Sequence, residues 1–293
     1  EVNMIQDIEP KLNNQYKNIK PKDNDYVLSY SGRRVLLSKK AETLEYLTYE
    51  KYKQINQGDD TLVYFFSIGN DSYFYEKNEI EADGFEYVPM FKTRTMKPMA
   101  KVMAAATGWH LNMWYKSNKF CGACGCNMEH DEKIRMLKCP KCGNQVFPKI
   151  APAVIVGVTD NDKILLTKYA DREYKRYALI AGFTEIGETI EETVAREVFE
   201  ETGVHIKDIT YYKSQPWGYD GNVLMGFFAK LDGDRKITID EDELSVAEWV
   251  NYKDVPDDEE KISLTREMMT YFRKERENES KRRENKCNES IRQ

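Results

Sequence analysis

The stretch GFTEIGETIEETVAREVFEETGV, Gly182–Val204, concentrates the chemistry of this 293-residue chain. Helical spacing places Glu197, Glu200 and Glu201 at i, i+3 and i+4, so three carboxylates leave one face of a helix. Like charges arranged this way repel, by roughly a few tenths of a kcal/mol per pair on an exposed helix. Such a cluster is expected to surround a hard cation, and Mg²⁺ takes carboxylate and water oxygens while gripping substrate phosphates. Gly182 and Gly187 offer permissive backbone in the preceding loop, and Gly203 sits where a left-handed residue closes a helix. Arg196 points about a quarter turn away from Glu197 and can pin Glu188 or nearby carbonyls. The competing account is a solvated acidic face, the ordinary meaning of an isolated E-x-x-E-E.

Outward from this segment the pattern alternates strands and turns. Ala153–Val158 is a continuous apolar run, and Lys163–Lys168 alternates around Ile164 and Leu166, with the turn Asp160-Asn-Asp-Lys163 between them. That spells a hairpin. Tyr177–Ala181 reads as the strand feeding Gly182, the helix spans about 190–202, and further strands are expected at 210–216, 223–231, 236–239 and 245–250. A last helix is expected over about 262–285, ending in mixed charge with few apolar residues.

Upstream, Cys121-x2-Cys124-x14-Cys139-x2-Cys142 has the spacing of a tetrahedral four-thiolate Zn²⁺ site, each C-x-x-C turning two sulfurs toward one point. With all four positions taken by sulfur no open position remains, so the expected role is structural. Cys126 and His130 lie nearby, but their spacing fits less well. Residues 24–90 carry short aromatic and β-branched runs of strand-and-turn texture, including a run from Thr61 to Phe66. Residues 96–117 read as one helix whose Trp109 and Trp114 are expected in a core.

Composition limits the alternatives. At 41% hydrophobic and 32% charged the chain can build real cores, which argues against wholesale disorder. A net charge of −6 gives no global basic footprint for nonspecific nucleic-acid binding. No window reaches the apolar length of a membrane span, and Glu1–Asn18 is not expected to act as a signal peptide. Paired C-x-x-C units suggest metal binding in a reducing compartment, so a cytoplasmic setting is expected.

The pattern G-x5-E-x7-R-E-U-x-E-E-x-G-U, with U aliphatic, is matched at every fixed position from Gly182 to Val204 and resembles the Nudix box. A cysteine quartet ahead of it, Phe147-Pro-Lys-Ile-Ala-Pro152 between them, and Ser214-Gln215-Pro216-Trp217 after it narrow the likeness. The chain is similar to the NADH pyrophosphatase (NAD diphosphatase) branch of the Nudix hydrolases, closely over about 95–270 and only in texture before that. The resemblance implies a mixed α+β and α/β architecture. An N-terminal Nudix-like, β-rich domain (1–118) and a zinc ribbon (119–150) would precede an α-β-α sandwich catalytic domain (151–275) and a polar tail (276–293).

It also implies metal-dependent hydrolysis of the diphosphate linkage of NADH or NAD⁺ to nicotinamide mononucleotide and AMP, a homodimer, and NAD-capped RNA as a further substrate. Glu197, Glu200, Glu201 and Glu243 would hold Mg²⁺ or Mn²⁺ and, with Arg196, carry catalysis. Phe183, Gln215, Trp217, Tyr219, Asn222 and Thr265 would contact the substrate, Phe183 and Tyr219 by stacking. The family continues S-Q-P-W with P-F-P-x-S, whereas this chain continues with Gly218-Tyr219-Asp220-Gly221-Asn222. That change leaves ADP-ribose and dinucleoside polyphosphates open as alternative substrates. Lys92, Arg94, Lys97, Lys101, Lys116 and Lys119 could form a local basic path, or simply be solvated. A non-catalytic fold of this kind used as a nucleotide sensor, or a zinc-ribbon nucleic-acid module, is the remaining class, disfavoured because every box glutamate is kept.

Overall fold

The computed structural model describes residues 4–39, 43–56, 62–170, 176–257 and 262–291, with side chains described as far as residue 285. Thr61, read above as part of a strand, and the last two residues of the tail lie outside this set. The chain divides into two compact units. One comprises chiefly Ala151–Pro216 and Val223–Gln293; the other comprises Ile5–Ile150 together with Trp217–Asn222.

In the second of these, β1 (Leu12–Asn13), β2 (Tyr26–Leu28), β3 (Tyr30–Ser31), β4 (Arg34–Ser38) and β5 (Leu47–Thr48) lead to α1 (Tyr49–Ile55). Then follow β6 (Val63–Ile68), β7 (Asp71–Tyr75), β8 (Phe85–Pro89), α2 (Met90–Thr93) and α3 (Met99–Ser117). One sheet runs β1-β6-β7-β2-β5 and another β3-β4-β8. Aromatic residues fill the core: Phe65 stacks on Tyr75 at 4.7 Å and on Tyr115 of α3 at 5.7 Å. Trp109 and Trp114 are buried, as their spacing predicts. Helix and sheet approach closely, since a Cβ on Gly108 would lie 2.3 Å from the Tyr30 hydroxyl. Three short strands, β9 (Glu129–His130), β10 (Leu137–Lys138) and β11 (Gln145–Val146), form the cysteine-bearing ribbon.

The other unit contains β12 (Ala151–Asp160), β13 (Lys163–Tyr169), β14 (Ile180–Phe183) and α4 (Ile190–Thr202). It continues with β15 (Ile206–Trp217), β16 (Asn222–Leu231), β17 (Leu244–Asn251) and α5 (Leu264–Ile291), the tip of the β15–β16 hairpin being grouped with the Ile5–Ile150 unit. The sheet order is β15-β16-β12-β13-β17, with β14 paired antiparallel to the first half of β12. Alternation along β16 shows how the layers stack. Phe227 and Ala229 join a core with Val194 and Val198 of α4, whereas Gly226 and Phe228 meet Met268 and Tyr271 of α5. The two helices therefore cover opposite faces, giving the α-β-α sandwich.

Two readings change. Residues 236–239 are not a strand: the Thr238 N–H donates to the Thr202 carbonyl (2.9 Å) and the Asp240 N–H to the Glu201 carbonyl (3.1 Å), so the segment satisfies the open end of α4. The last helix runs to Ile291, beyond the expected stop near 285. Pairs such as Arg276–Glu279 (2.8 Å) and Arg273–Glu277 (3.9 Å), one turn apart, help carry it through the polar stretch.

Candidate metal-dependent active site

Local chemistry fixes α4 at both ends. Thr189 accepts from the Glu192 N–H at 3.2 Å while Glu192 accepts from the Thr189 N–H at 2.7 Å, a reciprocal capping box. Gly203 ends the helix at φ +68° and donates to the Phe199 carbonyl at 2.7 Å. Val194 and Val198, one turn apart, are fully buried against Val154, Val156 and Ile180. Each such valine contributes about 1.5–3 kcal/mol relative to exposure. Glu197 and Glu201 lie three residues beyond these valines, on the adjoining stripe, so core packing pulls them partly inside.

The carboxylates are consequently unequal. Glu201 is 2% exposed, Glu197 is 9% exposed, and Glu200 lies on the surface. Burial, followed by the negative charges of Glu243 and Glu197, pushes the Glu201 carboxyl up to about 8. Burial also raises Glu197, against the lowering pull of Arg196. Glu201 receives the Ala181 N–H, while its Oε2 is buried with no hydrogen-bond partner. Glu243 and Asp240 bring their charges to bear on Glu201 from the turn before β17. An orphaned, buried carboxylate oxygen with the negative charges of Glu243 and Glu197 bearing on it suits a hard divalent cation, and fits Mg²⁺ or Mn²⁺.

Arg196 ties the cluster together. Its guanidinium donates to Glu188 through Nε (2.5 Å) and Nη2 (2.9 Å), to Glu197 at 2.8 Å, to Glu200 at 2.9 Å, and to the Phe183 carbonyl at 2.9 Å. The expected contact with Glu188 is present, and Glu197 and Glu200 are held as well. Hydrogen bonding from Arg196, then from the Glu185 N–H, keeps the Glu188 carboxyl at about 2. Gly182 plays a different part from the one read in sequence. Only Gly187 of the loop pair has positive φ, at +98°. Gly182 instead provides room, because a Cβ there would lie 1.9 Å from the Glu197 carboxyl carbon.

In the ribbon, the two cysteine turns are built alike. The Gly125 N–H donates to the Cys121 carbonyl (2.8 Å) and the Gly143 N–H to the Cys139 carbonyl (3.0 Å), with φ +74° and +77° at the glycines. Cys121 and Cys142 sulfurs lie 3.5 Å apart, Cys124 and Cys139 sulfurs 3.4 Å, and all four fall within 4.8 Å of one another. A disulfide needs about 2.05 Å, whereas sulfurs around tetrahedral zinc stand roughly 3.8 Å apart. Backbone N–H groups, that of Ala123 first, lower the Cys121 thiol to about 6, and those around Cys139, that of Cys142 first, lower that thiol as well. At Cys124 and Cys142 a backbone N–H also lowers the thiol, but bonding among the sulfurs outweighs it and raises both. Among the described residues this is the only set of three or more such donors gathered so tightly. His130 is outside it, its ring packed on Tyr16 and Tyr115.

Residues 149–272 match the NUDIX domain family. The chain carries a NUDIX domain. The similarity extends to proteins named NAD-capped RNA hydrolase NudC. The one from Klebsiella pneumoniae is 38% identical over 152 residues, 52% of this chain and 59% of that protein. The one from Haemophilus influenzae (strain PittGG) is 37% identical over 178 residues, 59% of this chain and 66% of that protein. The matched chain thus spans less than two thirds of the length of these relatives. A crystal structure of a NUDIX hydrolase from Nitrosomonas europaea aligns over 55% of this chain and 93% of its own at 25% identity, with a TM-score of 0.48.

Beyond the Nudix box, the residues expected to contact substrate divide. Phe183 ends β14 and is 53% exposed, and Thr265 is half-buried in the first turn of α5. Gln215 is wholly buried, its amide donating to the Ile262 carbonyl (2.8 Å) and accepting the Leu264 N–H (2.7 Å). Those bonds commit it to holding the start of α5. Tyr219, read as a stacking ring, is 4% exposed, and its hydroxyl meets that of Thr93 at 2.9 Å while Trp109 Nε1 donates to its carbonyl at 3.2 Å. This is a packing role, a correction the sequence pattern did not signal. Trp217 is buried beside it and donates to Asp220 at 3.1 Å. Asn222 is buried with its Oδ1 lacking a hydrogen-bond partner. Of the six basic residues, Lys116 donates to the Tyr30 carbonyl (3.1 Å), Lys101 lies 5.1 Å from the Tyr26 ring centre, and Arg94 lies 5.0 Å from that of Trp217. These three serve their own unit. Asp240 and the Ala181 N–H were missed because neither belongs to a spaced motif.

Proposed function

We propose that the chain hydrolyses the diphosphate bridge of NADH and NAD⁺ to nicotinamide mononucleotide and AMP, and acts on the same bridge where NAD caps an RNA 5′ end. The observation that carries the reading is the buried Glu197–Glu201 pair with its unpartnered Glu201 Oε2. The names of the NudC relatives support the substrate.

Mg²⁺ or Mn²⁺, when bound, supplies positive charge that offsets the diphosphate oxygens. Glu197 and Glu201 would hold it, with Glu243 contributing from the turn before β17. Arg196 keeps Glu197 and Glu200 in place. Glu200, exposed at the rim, is assigned the attacking water, orienting it and taking its proton. The water oxygen bonds to one phosphorus, and the bridging oxygen departs with the other phosphate. Zinc in the cysteine quartet is assigned a structural role. The reading includes a homodimer, which analytical ultracentrifugation would detect, and a cytoplasmic setting.

The altered Gly218–Asn222 segment favours a second reading, in which ADP-ribose or a dinucleoside polyphosphate is the better substrate. Product analysis with Mg²⁺ and with Mn²⁺ on NADH, NAD⁺, NAD-capped RNA and ADP-ribose tests both. Nicotinamide mononucleotide and AMP from NADH are expected, with turnover lost by orders of magnitude in Glu201→Gln. Faster cleavage of ADP-ribose would install the second reading, and binding of NAD without any cleavage would make the chain a sensor.

A further inference from the structure

We propose that Asp240 is a positioning residue that fixes the turn carrying Glu243 beside Glu201. The inference rests on the reading of Glu197, Glu201 and Glu243 as the cation-holding set, and adds to it how one member is kept in register. Glu243 is outside the Nudix box and outside α4, on a surface turn with an exposed side chain. Packing therefore does little to hold it.

Four hydrogen bonds meet at Asp240 instead. Its N–H donates to the Glu201 carbonyl at 3.1 Å, at the C-terminal end of α4 where backbone acceptors are otherwise open. Its own carbonyl accepts the Glu243 N–H at 3.2 Å and the Leu244 N–H at 2.8 Å. Its carboxylate accepts the Asp242 N–H at 3.0 Å, closing an Asx turn. The far side of the turn is held where the Ala170 N–H donates to the Glu243 carbonyl at 2.9 Å, just before β17 pairs with β13. One residue thus links the backbone of Glu201 to that of Glu243. Asp240 is itself exposed, so its side chain earns no packing role. What the turn requires of it is an acceptor two residues ahead of the Asp242 N–H, which asparagine supplies equally well.

The test measures Mn²⁺ binding to the full chain without substrate, by the loss of the free-ion electron paramagnetic resonance signal. Asp240→Asn keeps the acceptor and should bind within about 2-fold of the parent. Asp240→Ala removes one hydrogen bond and should weaken binding roughly 3–10-fold. Glu243→Gln should weaken it further. Adding Asp240→Ala to Glu243→Gln should change nothing more, since a residue acting only through Glu243 has nothing left to position. An Asn variant as weak as the Ala variant would overturn the proposal by making the Asp240 charge itself the working group. Additive losses in the double variant, or an Ala variant that binds like the parent while Glu243→Gln does not, would overturn it too. If Glu243→Gln leaves Mn²⁺ binding unchanged, the assignment of Glu243 to the cation has failed, and the positioning role falls with it.

Discussion

Gly182→Ala tests the active-site geometry most directly. A methyl group at this position of β14 would stand 1.9 Å from the Glu197 carboxyl carbon and 2.0 and 2.1 Å from its two oxygens. Ordinary contact begins at 3.4 Å, so the carboxylate must retreat by about 1.5 Å. Retreat also pulls it from the Arg196 guanidinium, now at 2.8 Å. A misplacement of about 1 Å in a reacting constellation costs roughly 100-fold, or about 2.7 kcal/mol of transition-state stabilisation. The carboxylate is the free end of a flexible side chain and can swing outward, so the fold should lose little. The expected result is a fall in kcat/KM for NADH of about 100-fold or more at saturating Mg²⁺, with Tm lowered by only a few degrees. In a Glu197→Ala background the clash disappears, and Gly182→Ala should then cost almost nothing further. An alanine variant within about 3-fold of the parent in kcat/KM would refute the claim that Glu197 works from its place over Gly182.

Other expectations concern the supports of the site. Arg196→Lys should lower kcat by at least about 10-fold, because an ammonium cannot reproduce a planar fork that reaches Glu188, Glu197, Glu200 and the Phe183 carbonyl together; steady-state kinetics reads it, and parent-like turnover would count against the clamp. Cys139→Ser should abolish stoichiometric zinc, measured by plasma emission, and lower Tm, whereas an unchanged Tm without zinc would dismiss the structural site. Gln215→Ala should cost about 2 kcal/mol in urea unfolding, by stranding the Ile262 carbonyl and the Leu264 N–H. A raised KM with unaltered stability would instead restore Gln215 as a substrate contact.

The Nudix helix was legible because its determinants are local. The Thr189–Glu192 box, the Val194–Val198 stripe and Gly203 all act within a few residues of one another, and so do the two cysteine turns. The β12–β13 hairpin was legible for the same reason, with Asp160 facing Lys163 across its turn. The β-like spelling of 236–239 says nothing of α4, whose end carbonyls capture the Thr238 and Asp240 N–H groups. The extension of α5 past 285 has no apolar stripe to announce it; the charge pairs Arg273–Glu277 and Arg276–Glu279 support the polar stretch that leads into it.

The sequence by itself determined which residues could form the site: the carboxylates, the arginine that joins them, and the four sulfurs, each recognisable from chemistry repeated at a fixed spacing. It could not rank them. Only the tertiary structure separated buried Glu197 and Glu201 from exposed Glu200, turned Tyr219 and Gln215 from substrate contacts into internal supports, and showed that Gly182 is needed for space rather than for its backbone angle. Burial and close approach depend on what distant segments bring alongside, and local spacing carries no record of that.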